Sequence, residues 1–158
     1  MFAVGEKVCY PMHGVGVIDS IEEQNVLGEK AQYYVMRFLG GRMTAMIPVE
    51  TANVVGLREI IDLDVYDEVM EFLKIEPETD CGNWNQRYRE NLQKLKNGTV
   101  FEVADVVKTL SQRENKRGLS TGERKMLLTA RSVLLGELVA ASGNESDYFM
   151  EVLEGKTK

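Results

Sequence analysis

Asn53-Val54-Val55-Gly56-Leu57-Arg58-Glu59-Ile60-Ile61 is where the hydrophobic period of this chain changes. Before Gly56 the apolar residues come in short β-branched and aromatic runs. Gln32-Tyr33-Tyr34-Val35-Met36-Arg37-Phe38 is one, and Val15-Gly16-Val17-Ile18 opens another, both with the composition of strands. Phe2, Val4, Val8 and Tyr10 surround Gly5, a turn position. Gly40-Gly41 separates residues 32–38 from a further strand, Met43-Thr44-Ala45-Met46-Ile47. Pro48 ends that strand, and Asn53-Val54-Val55 reads as a short last one. Four or five short strands within 56 residues cannot build two packed sheets. A small, strongly curved barrel of the SH3 or Tudor kind buries them best.

After Gly56 the period is helical. Residues 57–74 carry Leu57, Ile60, Ile61, Leu63, Val65, Val69, Met70, Phe72 and Leu73, as one broken helix or two short ones. Pro77 and Gly82 mark a loop. Asn83 is placed to cap the next helix, whose face is Trp84, Tyr88, Leu92 and Leu95, and Gly98 stops it. Thr99-Val100-Phe101-Glu102 is a capping box ahead of the stripe Val103, Val106, Val107, Leu110, which Gly118 closes. Ser120-Thr121-Gly122-Glu123 is a second such box, ahead of Met126, Leu127, Ala130, Val133, Leu134 and Leu138. Gly143 ends that helix, and Asn144 or Ser146 would cap a last short one through Leu153. The expected architecture is therefore α+β in two domains: a small SH3/Tudor-like β-barrel over residues 1–56 and an all-α bundle over residues 57–158.

Composition narrows the function classes. No apolar run approaches the roughly 20 residues of a membrane span, and the N-terminus lacks a basic region followed by an apolar stretch, so a cytoplasmic location is expected. Cys9 and Cys81 are too few for a metal cluster or disulfide framework, and the single histidine, His13, argues against a metal site; no cofactor is expected. The net charge of -6 is unevenly spread. Residues 57–80 carry net -7 and residues 81–131 net +6. A basic block beside acidic ones leaves nucleic-acid contact open, because a polyanion responds to the local field.

Three segments suggest chemistry. In Tyr10-Pro11-Met12-His13-Gly14-Val15-Gly16 the two glycines imply a tight approach of backbones, and the spacing is not that of a phosphate loop. A Cys9–His13 nucleophile pair lacks an orienting third group, and a structural turn is the better reading. In Asn83-Trp84-Asn85-Gln86-Arg87-Tyr88-Arg89 the only tryptophan precedes two arginines. Position alone favours a tryptophan that caps the core stripe. The alternative is an exposed apolar wedge at a DNA groove, with Arg87 and Arg89 on phosphates. Around Ser120 a helix start beside Arg124 and Lys125 offers either a phosphate seat or an ordinary capped turn.

Taken together, residues 4–16, 83–92 and 117–127 resemble the CarD/CdnL family in order and spacing. The tryptophan segment is the specific part, since transcription-repair coupling factor carries a similar β module. The resemblance implies a transcription regulator without enzymatic activity. Its Tudor-like domain would dock on the β subunit of RNA polymerase through a strand edge that extends a polymerase sheet, here residues 42–47. Its helical domain would face promoter DNA at the upstream edge of the bubble. Trp84 would wedge into the minor groove, and Arg87, Arg89, Arg124 and Lys125 would hold the backbone without reading sequence. Polymerase contact would involve Gln24, Arg37, Arg42, Thr44 and Met46. Gln24 and Met46 stand where familiar members carry basic residues, which implies either that Arg37 or Arg42 supplies the charge or that this protein binds its polymerase less tightly.

The leading expectation is thus a polymerase-tethered stabiliser of the open promoter complex, for which tethering makes modest DNA affinity sufficient. A free-standing architectural DNA-binding protein is the alternative; it would bind duplex unaided, with a steep salt dependence. Neither reading calls for a membrane or a small-molecule substrate. A monomer is expected, with strand exchange between barrels as the route to a dimer.

Overall fold

The computed structural model describes residues 2–39, 43–76 and 83–143. Five strands form one antiparallel sheet: β1 (Lys7–Tyr10), β2 (Gly14–Val26), β3 (Glu29–Phe38), β4 (Thr44–Pro48) and β5 (Arg58–Glu59), in the spatial order β4-β3-β2-β1-β5. Four helices follow: α1 (Leu63–Lys74), α2 (Trp84–Asn97), α3 (Val100–Arg117) and α4 (Thr121–Ser142). The small antiparallel β domain followed by a helical domain is the expected architecture.

The strands differ from the expectation in two places. β2 and β3 are long, not short, and pair from Gly16↔Phe38 out to Val26↔Glu29 with a bulge between Ile18 and Ser20. Beyond Val17, which pairs with Lys7, β2 has no β1 partner, so the outer part of the hairpin is a two-stranded ribbon. Leu27 and Gly28 turn it with φ of 52° and 84°, the double positive φ of a hairpin turn whose twist matches the strands. Second, Asn53-Val54-Val55 is a turn after a short 3-10 helix, Val49–Thr51, and the last strand is β5, two residues past Gly56. β5 pairs with β1 through Val8↔Glu59 and Cys9↔Arg58. The sheet therefore runs past the expected boundary at Gly56. Residues 57–74 form a strand and one helix, not a broken helix.

Each helix starts where its cap is written. Asp62 accepts from the Val65 amide at 2.9 Å, Asn83 from Gln86 at 2.8 Å, Thr99 from Glu102 at 3.3 Å and Ser120 from Glu123 at 3.2 Å. Such caps stabilise by about 1 kcal/mol each. The stripes on α3 and α4 are buried as their periodicity requires: Val103, Val106, Val107 and Leu110 face Met126, Leu127, Ala130, Val133, Leu134 and Leu138 across the bundle core. The short helix expected from Asn144 or Ser146 lies outside the described residues.

The two domains share a packed seam. In β1, successive side chains point to opposite faces. Val8 enters the β core with Ile18, Tyr34, Met36, Ile47 and Leu57, and Cys9 enters the helical core. The Tyr10-Pro11-Met12-His13 turn, closed by His13 N–H to Tyr10 O at 2.9 Å, inserts between the domains. A methyl at Gly98 would stand 2.6 Å from Pro11 Cγ, and one at Gly56 2.9 Å, so both glycines make room for this proline. At Gly16 an added Cβ would meet Met36 and Arg37 O at 2.6 and 2.7 Å, the close backbone approach that the glycine pair implied. Arg58 on β5 grips Glu137 on α4 through two hydrogen bonds of 2.5 and 2.7 Å.

Candidate nucleic-acid interface

Trp84 occupies the first turn of α2, and 42% of its surface is exposed. It sits at the outer end of the stripe Tyr88, Leu92, Leu95 and is not itself among the side chains packed on the helical core. Its ring stacks on Tyr88, one helical turn on, with centroids 5.0 Å apart and planes at 21°. Its Nε1–H donates to Ser120 Oγ at 3.1 Å, across the gap to the start of α4. Gly122 lies against the same pair; a Cβ there would meet Tyr88 at 3.4 Å and Trp84 at 3.9 Å. The indole thus presents an exposed apolar face while its polar edge is satisfied, the division that suits tryptophan to half-wet positions.

The four cations expected around it separate into two kinds. Arg87 departs from the expectation: it is only 7% exposed, and its Nε donates to Glu123 at 3.0 Å. Glu123 is itself buried. A guanidinium spent on a buried carboxylate is not free for phosphate, and separating the pair would strand a charge in the interior. Arg89, Arg124 and Lys125 are exposed, and among the described residues no carboxylate lies within ion-pair distance of them. Arg89 donates weakly to Asn85 O at 3.4 Å. At the first turn of α4 Ser120 Oγ takes the Glu123 amide, and the Arg124 amide makes the first regular helical bond, to Ser120 O. Arg124 and Lys125 add positive charge at this helix start.

A second surface lies on the β domain. β4 pairs only with β3, so it is a sheet edge. Phe38 N–H bonds to Met43 O at 3.1 Å. In an antiparallel ladder bonded and non-bonded pairs alternate, so Thr44 and Met46 turn their peptide groups away from β3. These groups are free to pair with an added strand. Met46 is 49% exposed and Met43 more so, an apolar fringe on this edge. Arg37, opposite Thr44, is exposed and tied to Asp19 at 3.2 Å, a surface pair worth at most about 1 kcal/mol and easily exchanged. Gln24 lies on the ribbon, four residues beyond Ser20, which aligns with Met46 through Val35. That spacing is about 13 Å along the strand, so Gln24 is an outlying member of this surface. Arg42 lies outside the described residues.

Cys9 and His13 do not form a reactive pair. Cys9 is fully buried, and burial pushes its thiol up to about 12; nearby Arg58 works against this rise and Glu137 with it. A thiol held protonated is a poor nucleophile. His13 packs edge-on against Tyr10 with ring centroids 4.8 Å apart. Among the described residues no helix is long and apolar enough to cross a membrane.

Residues that position this site were not all foreseen. The sequence marks Glu123 only as part of a capping box, and its long-range role as the partner of Arg87 has no local signature. Tyr88 belongs to the core stripe by its spacing, yet it also carries the indole.

Comparison with known proteins accounts for nearly the whole chain. Residues 2–61 match the family model described as the CarD-like/TRCF RID domain, and residues 68–154 match the CarD C-terminal domain. The chain is 36% identical over 143 residues to YdeB of Bacillus subtilis (strain 168), which is named as a candidate transcription factor; the alignment covers 90% of this chain and 94% of YdeB. Among solved structures it is similar to CdnLNt from Myxococcus xanthus (44% identity, 39% of this chain and 86% of that one, TM-score 0.34). It is also similar to the 72-residue N-terminal domain of Myxococcus xanthus CarD, determined by solution NMR (30% identity, 37% and 79%, TM-score 0.34). With one family model spanning more than half of its length and the other covering the β domain, the chain belongs to the CarD-like family of transcription factors.

Proposed function

We propose that this protein docks on the β subunit of RNA polymerase through the β4 edge and stabilises the open promoter complex with the exposed face of Trp84. Docking uses the outward peptide groups of Thr44 and Met46 as β-augmentation, with Arg37 contributing charge. The helical domain then meets the upstream edge of the bubble. There Trp84 stacks at the junction of paired and separated strands, and Arg89, Arg124 and Lys125 hold phosphates. Arg87 has no place among the phosphate contacts.

The observation that carries this reading is the presentation of Trp84: a large aromatic left open to solvent, held by two partners and flanked by cations that form no ion pair among the described residues. A wedge of this kind opposes reannealing without reading bases. The net charge of -6 makes unaided duplex binding weak, and tethering offsets this by raising local concentration to around millimolar. The test is decay of open complexes formed by purified polymerase, after a competitor traps free enzyme. The protein should lengthen their lifetime while showing little affinity for the same duplex alone. Tight, steeply salt-dependent duplex binding with no effect on lifetime would favour an architectural DNA-binding protein instead.

A further inference from the structure

A tryptophan at a helix start, open to solvent over two-fifths of its surface, has no reason to keep one orientation unless other groups impose it. Here two elements impose it. Tyr88 supports the ring from below on α2, and Ser120 takes the indole N–H from the start of α4. A serine hydroxyl has one proton to donate and two lone pairs to offer. All three are engaged at Ser120. Its oxygen accepts from Trp84 Nε1 at 3.1 Å and from the Glu123 amide at 3.2 Å, and its proton points to Glu123 Oε1 at 3.4 Å. Glu123 is in turn anchored by Arg87, three residues beyond Trp84 on α2. The chain of contacts leaves α2 at the indole, crosses to α4, and returns to α2 through a buried ion pair.

We infer that Ser120 is a positioning residue: its hydroxyl, fixed by the Arg87–Glu123 pair, holds the Trp84 indole in the single orientation in which it meets DNA. The choice of residue follows from the three roles. Aspartate would cap α4 as well as serine does. Aspartate has no proton for Glu123 and would set a second negative charge beside it, whereas threonine keeps the whole hydroxyl set. Arg87 thereby acquires a purpose that its burial denies it at the phosphates. Holding the ring before DNA arrives removes the ordering cost from the binding step.

This inference rests on the Trp84 reading above, and its test separates the two. Trp84 is the only tryptophan, so fluorescence and the indole N–H resonance report on this side chain alone. Ser120→Gly removes the acceptor yet caps a helix nearly as well as serine. Relative to the unaltered protein, it should lower the fluorescence anisotropy of the indole and speed exchange of its N–H. It should also shorten open-complex lifetime roughly fivefold, the scale of one neutral hydrogen bond. Ser120→Thr should restore all three readouts. Unchanged anisotropy in Ser120→Gly would overturn the inference. So would an indole N–H that exchanges in the unaltered protein as fast as in free tryptophan, a result that needs no variant to fold. A mobile indole with undiminished lifetime would overturn it as well, by making orientation irrelevant. If Trp84→Ala leaves lifetime unaltered, the wedge reading fails, and the anisotropy and exchange measurements still decide whether Ser120 holds the ring.

Discussion

Replacing Arg58 with alanine would leave the Glu137 carboxylate buried without its cation, at the seam that joins the two domains. Glu137 is 1% exposed and receives the Arg58 guanidinium at 2.5 and 2.7 Å and the Ile61 amide at 3.0 Å. Arg58 also donates through Nε to Gly98 O at 2.8 Å. Burial opposes the charge of Arg58, but the Glu137 carboxylate outweighs it and holds the guanidinium above its ordinary pKa, so Arg58 stays charged. Breaking a buried pair costs about 3–5 kcal/mol, against at most about 1 kcal/mol for an exposed one. The two halves of the pair are not equivalent. The side chain of Arg58 is a quarter exposed, so after Glu137→Ala the guanidinium reaches water and keeps Gly98 O. Discounted for that screening, Glu137→Ala should cost about 2 kcal/mol. Arg58→Ala strands a carboxylate with one amide donor and should cost about 4 kcal/mol. The double alanine variant should lose less than the sum, because each single loss includes the isolation of the other charge. Urea unfolding read by far-UV circular dichroism and by Trp84 fluorescence measures all three. Losses under about 1 kcal/mol for both singles, or a larger loss for Glu137→Ala, would refute this account of the seam.

Two further outcomes follow from other residues. Thr44→Pro deletes an amide that points away from β3, so the sheet should keep its stability while co-purification with the isolated polymerase β-subunit lobe is lost; retained capture would move the docking surface off this edge. The Cys9 thiol is raised by burial from 9.0 to about 12, so folded protein keeps a proton that the unfolded chain gives up. Its contribution to stability is full below pH 9 and disappears between pH 9 and about 12, at about 1.4 kcal/mol per pH unit. Stability of the unaltered protein should therefore fall more steeply above pH 9 than that of Cys9→Ala, and parallel curves would contradict the burial argument.

What was legible in the sequence was what local physics writes. Caps at Asn83, Thr99 and Ser120 and apolar stripes at 3.6-residue spacing located α2, α3 and α4, because each signal needs only residues one turn apart. The edge strand was legible from Gly40-Gly41 and Pro48. The outer ribbon was not. Its residues Glu22, Glu23, Gln24 and Asn25 are exposed on both faces and so show no alternation, and its turn uses Leu27 where asparagine or aspartate would announce it. β5 is two residues long and holds its place by pairing with β1, which no window of sequence reveals. Arg87 was misassigned for the same reason. Its carboxylate partner is 36 residues away, and an arginine beside a tryptophan looks alike whether it faces DNA or the interior.

The claim on which the account turns is that the Trp84 indole, supported from the helical domain, delays closure of separated promoter strands. Lifetimes of open complexes with unaltered protein and with Trp84→Ala, at equal occupancy of polymerase, measure it directly. Stacking on a base is worth on the order of 1–3 kcal/mol, so the alanine variant should shorten the lifetime by roughly tenfold while remaining folded and polymerase-bound. A folded, bound variant that preserves open complexes as well as the unaltered protein would contradict it.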